Sequence, residues 1–256
     1  MRRLDWADYR TTEFAGIDPM ETIAILPTAA IEQHGPHLPV GTDTMIAAGM
    51  LDRLRADCPH DLDIRILPIQ AVGKSNEHLF ARGTLTLTAA TALQAWTEIG
   101  LSVARAGVKK IVIVNSHGGN LDLISILSRE LRVQANMLAV KCQWSGFGHP
   151  EGMYTDHEKA FGIHGGDVET SLMLAFRPDT VDMTAAHNNR SSAETSPIPP
   201  IGPVSYGWIA SDLSDAGTVG DASLATAEKG RATARHQVAG FIELLRKTRD
   251  TPLFAD

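Results

Sequence analysis

The chain has 256 residues, 43% hydrophobic and 21% charged, with a net charge of -7. That is enough apolar material for one sizeable core, and a single α/β domain over residues 1–256 is the expectation. The acidic balance and the lack of any Lys/Arg block exclude a nucleic-acid footprint. No window of about 18 apolar residues is available to cross a membrane.

The N-terminal segment MRRLDWADYR has two arginines but no apolar stretch behind them, so a cytoplasmic protein is expected. Residues 22–27 read as a buried strand, and residues 44–55 as a helix with Met45, Ala48, Leu51 and Leu54 on one face. A second strand, 64–69, precedes a helix over 89–106. Lys110–Asn115 is a third strand, 121–134 a third helix and 137–142 a weaker strand. Strands alternating with helices of this length predict a mostly parallel central sheet with helices on both faces. Residues 144–162 are rich in Gly, His and acids and read as a loop. Residues 185–220 hold four prolines and four glycines. They are too long for a simple connection, which leaves disorder or a functional lid or contact arm. Residues 222–247 form a long amphipathic helix that packs on the outside. Cys58 and Cys142 lie far apart, form no CxxC pair and make no disulfide framework.

Ligands of open α/β sheets bind beyond the carboxyl ends of strands. Three motifs fall after a predicted strand or at the start of a predicted helix. The first is Glu32-Gln33-His34-Gly35-Pro36-His37 followed by Asp43. The second is Asn115-Ser116-His117-Gly118-Gly119-Asn120. The third is His164-Gly165-Gly166-Asp167-Val168-Glu169. Zinc, manganese and iron take imidazole nitrogen and carboxylate oxygen, usually from several chain segments. Glu32 and His34 are two apart and point to one side of an extended segment. Asp43 sits where a turn enters a helix, and a carboxylate there can bridge two cations. Such a mixed set suits a pair of divalent ions sharing a nucleophilic hydroxide. Taken singly, each residue is equally compatible with a structural role, and His117-Gly118-Gly119-Asn120 alone is also a turn with a helix cap. No GxSxG elbow supports a serine triad, and no GxGxxG turn supports a dinucleotide site.

At these motifs, and at Gly83-Thr84-Leu85-Thr86-Leu87 and Ala225-Thr226-Ala227-Glu228-Lys229-Gly230, the sequence resembles the creatininase (creatinine amidohydrolase) family over about residues 20–245. The resemblance implies a three-layer α/β/α sandwich, a two-metal site and hydrolysis of a non-peptide C–N bond in a cyclic or linear amide. It also implies a homo-oligomer, often a hexamer, which would give the 185–220 arm a contact role. Carried over, Glu32, His34, Asp43 and His117 are metal ligands, with Asp43 bridging two ions of zinc, manganese or iron. Glu169 is a further ligand or a proton carrier, and His164 a general acid/base beside the substrate. Creatininase itself has a metal-binding Glu where this chain has Gly119, so either Glu169 completes the second site or the second metal is weak. The substrate stays open between a cyclic or linear amide and a formamide of nucleotide or pterin type, for which Arg82 and Lys74 are the available basic residues. A metal-stabilised scaffold without catalysis is the alternative from another class. His78, beside Ser75 and Glu77, touches substrate or supports the metals from outside. Trp144 and Trp208 stack on a flat substrate or else pack within loops or subunit contacts. His37 supports the ligands, and His60, His149, His157, His187 and His236 are surface or loop histidines.

Overall fold

The computed structural model describes residues 2–254. Its main sheet has four parallel strands in the order β2-β1-β3-β4, with β1 at Ile23–Thr28, β2 at Ile64–Ile66, β3 at Lys110–Asn115 and β4 at Leu138–Gln143. Every residue of β1 and β3 is buried, as expected for the inner strands of a sheet covered on both faces. Alternate side chains go to opposite layers. Ile23, Ile25, Val112 and Val114 pack with α1 (Thr42–Asp57), α5 (Asp167–Phe176) and α7 (Ala227–Asp250), through Met50, Leu51, Met173, Val238 and Phe241. Ala24, Leu26, Ile111 and Ile113 face α2 (Ala89–Arg105) and α3 (Leu121–Ala135), through Trp96, Val103, Leu127 and Leu131. This is the mostly parallel sheet with helices on both faces that the alternation implies.

Local chemistry explains where the observed bounds depart from the expected ones. Strand β2 stops at Ile66: Leu67 N still donates to Ile25 O, but Pro27 on β1 has no N–H to return the next ladder bond, and contact resumes only where Gln70 N donates to Pro27 O. Helix α7 begins five residues later than its periodicity suggests. The Thr226 side chain caps it by accepting from Lys229 N, while Ala222–Leu224 forms a separate short turn capped by Asp221. The 144–162 segment is not purely loop: it contains a 3-10 turn at Trp144–Phe147 and α4 at Asp156–Phe161, capped by Thr155.

The 185–220 arm is ordered. Its β5 (Asn188–Asn189) pairs antiparallel with β6 (Gly220–Asp221), and α6 spans Ala210–Leu213. Ala193, Leu213 and Val219 make a small apolar cluster with Ile163 and Trp208. No helix among the described residues is long and apolar enough to cross a membrane.

Candidate metal centre

The carboxyl ends of the two inner strands open onto one cluster. After β1 the chain folds back so that Glu32 N donates to Val40 O at 2.8 Å, closing the loop that carries Glu32 and His34. Gly35 makes the turn at φ +72°, and a Cβ there would lie 2.9 Å from Thr218 Cγ2. Asp43 falls in the first turn of α1, beside unpaired helical N–H groups that favour a carboxylate. After β3, Ser116 N donates to Thr28 O at 2.9 Å. The Asn120 side chain ties this loop to its neighbours, donating to Ala29 O and accepting from Lys74 N, each at 3.0 Å. His164 is paired through its backbone to Val219, and Glu169 lies in the first turn of α5.

Two imidazoles have their protons placed by carbonyls, which only accept. His34 donates from Nδ1 to Glu32 O at 3.0 Å, and His117 donates from Nε2 to Lys74 O at 2.9 Å. Their other nitrogens face carboxylates. His34 Nε2 is 3.4 Å from Asp43 Oδ1 and 3.8 Å from Glu169 Oε2. His117 Nδ1 is 3.1 Å from Glu32 Oε1 and 3.3 Å from Asp43 Oδ2. Asp43 thus turns one oxygen to each histidine. A lone pair against a carboxylate oxygen is repulsive unless a cation lies between them, either a proton or a metal. Glu32 Oε2, His34 Nε2 and Asp43 Oδ2 are buried with no hydrogen-bond partner. Groups of this kind normally find one.

The charges agree with this geometry. Burial disfavours the His34 imidazolium, but Asp43, Glu169 and Glu32 outweigh it and raise its pKa to about 10. His117 is likewise raised well above its ordinary value: burial opposes the charge, and Glu32 and Asp43 overcome that opposition. Burial raises Glu32 and Asp43, yet the neighbouring histidines bring both below the usual carboxylate range. Glu169 goes the other way. Burial pushes it up to about 7, helped by Asp43 and opposed by His34 and the Gly165 N–H.

Around this core His164 lies between His34 and His78, with ring centroids 4.3 and 4.4 Å away. Burial and His34 push its pKa down to about 3, so the ring is neutral. It donates from Nε2 to Gln33 O at 2.7 Å and turns Nδ1 to Glu32 Oε1 at 3.7 Å. Gln33 Nε2 donates to Gly217 O at 2.6 Å and to His78 Nδ1 at 2.9 Å. That leaves the His78 proton on Nε2, directed at Glu32 Oε1 3.5 Å away. His37 Nε2 lies 3.0 Å from both Gly165 O and Thr170 Oγ1, bracing the turn before Glu169.

The expected residues fall into three groups, each offering ligand atoms within 4.8 Å of one another: Glu32, His34 and His164; Glu32, Glu77 and His117; and His34, Asp43 and Glu169. Glu77, read from the sequence only as part of a loop beside His78, is the member the motifs did not single out. Its signal was its place two residues after Ser75, whose Oγ is 3.3 Å from His117 Nε2.

The structure does not put Trp144 beside this cluster. Leaving β4, its indole turns into the core edge-on to Phe241, with centroids 4.8 Å apart. Trp208 is half-buried within the arm, donating to Pro200 O at 2.7 Å, and supports Val219 rather than lining the cluster itself. Arg82 is exposed, and Lys74 Nζ is engaged by Glu77 Oε2 at 2.6 Å. Neither is free inside the site to hold an anion.

Comparison with known proteins decides what this cluster belongs to. The Creatininase family profile, described as creatinine amidohydrolase, matches residues 7–245. This chain belongs to the creatininase family. It is therefore a metal-dependent amidohydrolase acting on C–N bonds, which removes the non-catalytic scaffold as a reading. It is 30% identical to the mycofactocin precursor peptide peptidase of Mycolicibacterium smegmatis, over 89% of this chain and 86% of that protein. It is 28% identical to the creatinine amidohydrolase of Pseudomonas putida, over 95% of each. A solved tryptophan-to-alanine mutant of creatininase shares the fold with a TM-score of 0.78 at 23% identity, covering 98% of this chain and all of that one. Other solved creatininases of this fold are a manganese form and a Zn–Zn form.

Proposed function

We propose that the cluster holds two divalent ions, zinc, manganese or iron, and hydrolyses an amide of a small molecule. Glu32, His117 and Asp43 would hold one ion, and His34, Asp43 and Glu169 the other. One observation carries this reading. Two imidazoles, each with one nitrogen donating to a carbonyl, aim the other at buried carboxylate oxygens, and His34 Nε2, Asp43 Oδ2 and the second Glu32 oxygen have no hydrogen-bond partner. When bound, such a pair supplies a water of lowered pKa and polarises the amide carbonyl. The residues then divide the remaining work. His164, neutral and fixed by Gln33 O, presents Nδ1 toward the cluster and lies where substrate would touch it. His78 steadies Glu32 from behind. Glu169, at the open edge of the cluster 3.8 Å from His34 Nε2, is the carboxylate placed to pass a proton to the departing nitrogen, which leaves poorly without one.

A second reading is a peptide-like amide substrate. The similarity to the mycofactocin precursor peptide peptidase supports it, as do exposed apolar side chains beside the site. Leu85, bridged to Ile31, and Leu79, next to His78, are both largely exposed, and Val40 pairs with the Glu32 backbone. Creatinine is small and polar and gives such a rim nothing to contact. From length and composition we also infer one domain over 1–256 and a cytoplasmic setting, and from the family resemblance a homo-oligomer, with the hexamer the family's frequent form. The test is a metal analysis of purified protein, followed by release of ammonia, amine or formate across cyclic amides, linear amides, formamides and short apolar peptides. Turnover that persists in the metal-free enzyme sinks the proposal.

A further inference from the structure

Gly119 is crowded although it has no side chain. A Cβ built there would lie 2.1 Å from Glu77 Oε1, 2.4 Å from His117 Nε2 and 2.6 Å from Lys74 O. The space is taken by the carboxylate of Glu77, which arrives from the loop after β2. Glu77 is buried, unusually for a glutamate, and its two oxygens are held unequally. Lys74 Nζ holds Oε2 at 2.6 Å, whereas Oε1 is 3.7 Å from His117 Nε2. Glu32, which can offer a ligand atom with Glu77 and His117 inside a 4.8 Å span, keeps Oε2 buried and unpartnered.

We propose that Glu77 supplies a carboxylate to the cation position between Glu32 and His117, in the volume that a side chain at residue 119 would otherwise fill. The proposal rests on the two-ion reading above. It adds a third negative ligand to a half of the centre that otherwise has one imidazole and two carboxylates. Lys74 has a matching role: an ammonium on the far oxygen orients the carboxylate and offsets part of the repulsion between Glu77 and Glu32. The two positions also become exclusive. Gly119 is required while Glu77 is present, and a longer residue at 119 is tolerated only once Glu77 is shortened.

The test is metal stoichiometry by elemental analysis, with affinity from competition against a chelator, on wild type and Glu77→Gln. Wild type is expected to hold two ions per chain. Glu77→Gln is expected to keep one tightly and to bind the other more than about 100-fold more weakly, beyond the upper end of what losing an outer hydrogen-bond partner costs. Glu77→Ala combined with Gly119→Glu is expected to recover the second ion, because the new carboxylate enters the same space. A wild type without divalent ions overturns the two-ion reading, and this proposal with it. A wild type with two ions and a Glu77→Gln with two equally tight ions overturns the role of Glu77 alone. A lower melting temperature of metal-free Glu77→Gln, with both ions retained, marks a merely structural Lys74–Glu77 pair and overturns it as well.

Discussion

The two halves of the centre are built by different means. In the His34 half, both carboxylates ride in the first turns of long helices, Asp43 on α1 and Glu169 on α5, where free backbone N–H groups favour negative charge. In the His117 half the carboxylates other than the shared Asp43 are not at the start of an α-helix. Glu32 sits in an extended loop, and Glu77 on a three-residue turn steadied by the Lys74 ammonium. Helix starts are rigid and their charge is fixed, whereas a loop needs neighbours to hold it. The His117 half accordingly depends on cross-ties such as Asn120 to Lys74 N and Ala29 O. Asp43 joins the two halves, with one oxygen toward each histidine.

The largest expected effect comes from removing what the halves share. Asp43→Ala leaves both histidines without their common partner, so metal content is expected to approach zero. The hydrolytic rate is expected to fall by about 10³-fold or more. Full metal content in that variant would end the two-half description. Glu169→Gln touches only the His34 half. It is expected to retain one ion and to lose roughly 10²-fold in rate, read from elemental analysis beside kcat. Equal loss of both ions would mean the halves are not separable.

These halves were not equally legible in the sequence. The fold was, because the apolar runs of β1 and β3 and the one-sided α2 and α3 follow from periodicity alone. Glu32, His34 and Asp43 stand in one short motif, and His117 and Glu169 open recognisable turns, so their meeting could be expected. Glu77 could not be singled out in the same way. Its role depends on the space over Gly119, which is a fact of packing between two loops and not of spacing along either. Trp144 illustrates the reverse: a tryptophan in a Gly-rich loop reads as a pocket wall or a loop contact, but the residue that follows β4 packs edge-on to Phe241 of α7. The ordered arm was hidden for a related reason, since only tertiary contacts such as Gln33 with Gly217 O fix its prolines and glycines in place.

A pH titration separates the halves without mutation. In the metal-free chain His34, at about 10, and His117, raised well above its ordinary value, are protonated at neutral pH. Their folded values exceed the unfolded one near 6.5. The stability they contribute is therefore complete below that value and lost as pH rises through the folded ones, about 10 for His34. An incoming ion must displace these protons, so affinity rises with pH. The His34 half carries a second proton on Glu169 below about 7. Its log affinity is expected to climb by about two per pH unit below neutrality and about one above, while the other half climbs by about one throughout. Calorimetry in buffers of different ionisation enthalpy counts the protons released. Identical proton release from both halves would contradict the distinct state of Glu169.

The smallest effect should come from three glycines of the second and third motifs. Gly165 turns at φ +67°, and a Cβ there would meet Thr218 Cγ2 at 2.6 Å, in the loop whose N–H binds Glu169. Gly165→Ala is expected to cost about 1–2 kcal/mol in stability and to weaken only the His34 half, because the strain falls on the turn before α5. Gly118 lies directly beside His117, yet an added Cβ would find nothing within 4 Å and its backbone is not left-handed. Gly118→Ala is expected to change stability by no more than about 0.5 kcal/mol and to leave both ions in place. Gly119→Ala, one residue further, collides with Glu77 and should loosen the ion beside His117 alone. If Gly118→Ala and Gly119→Ala behave the same in melting temperature and metal content, the second half is not held by the Glu77 contact, and its rigidity must come from the Asn120 ties instead.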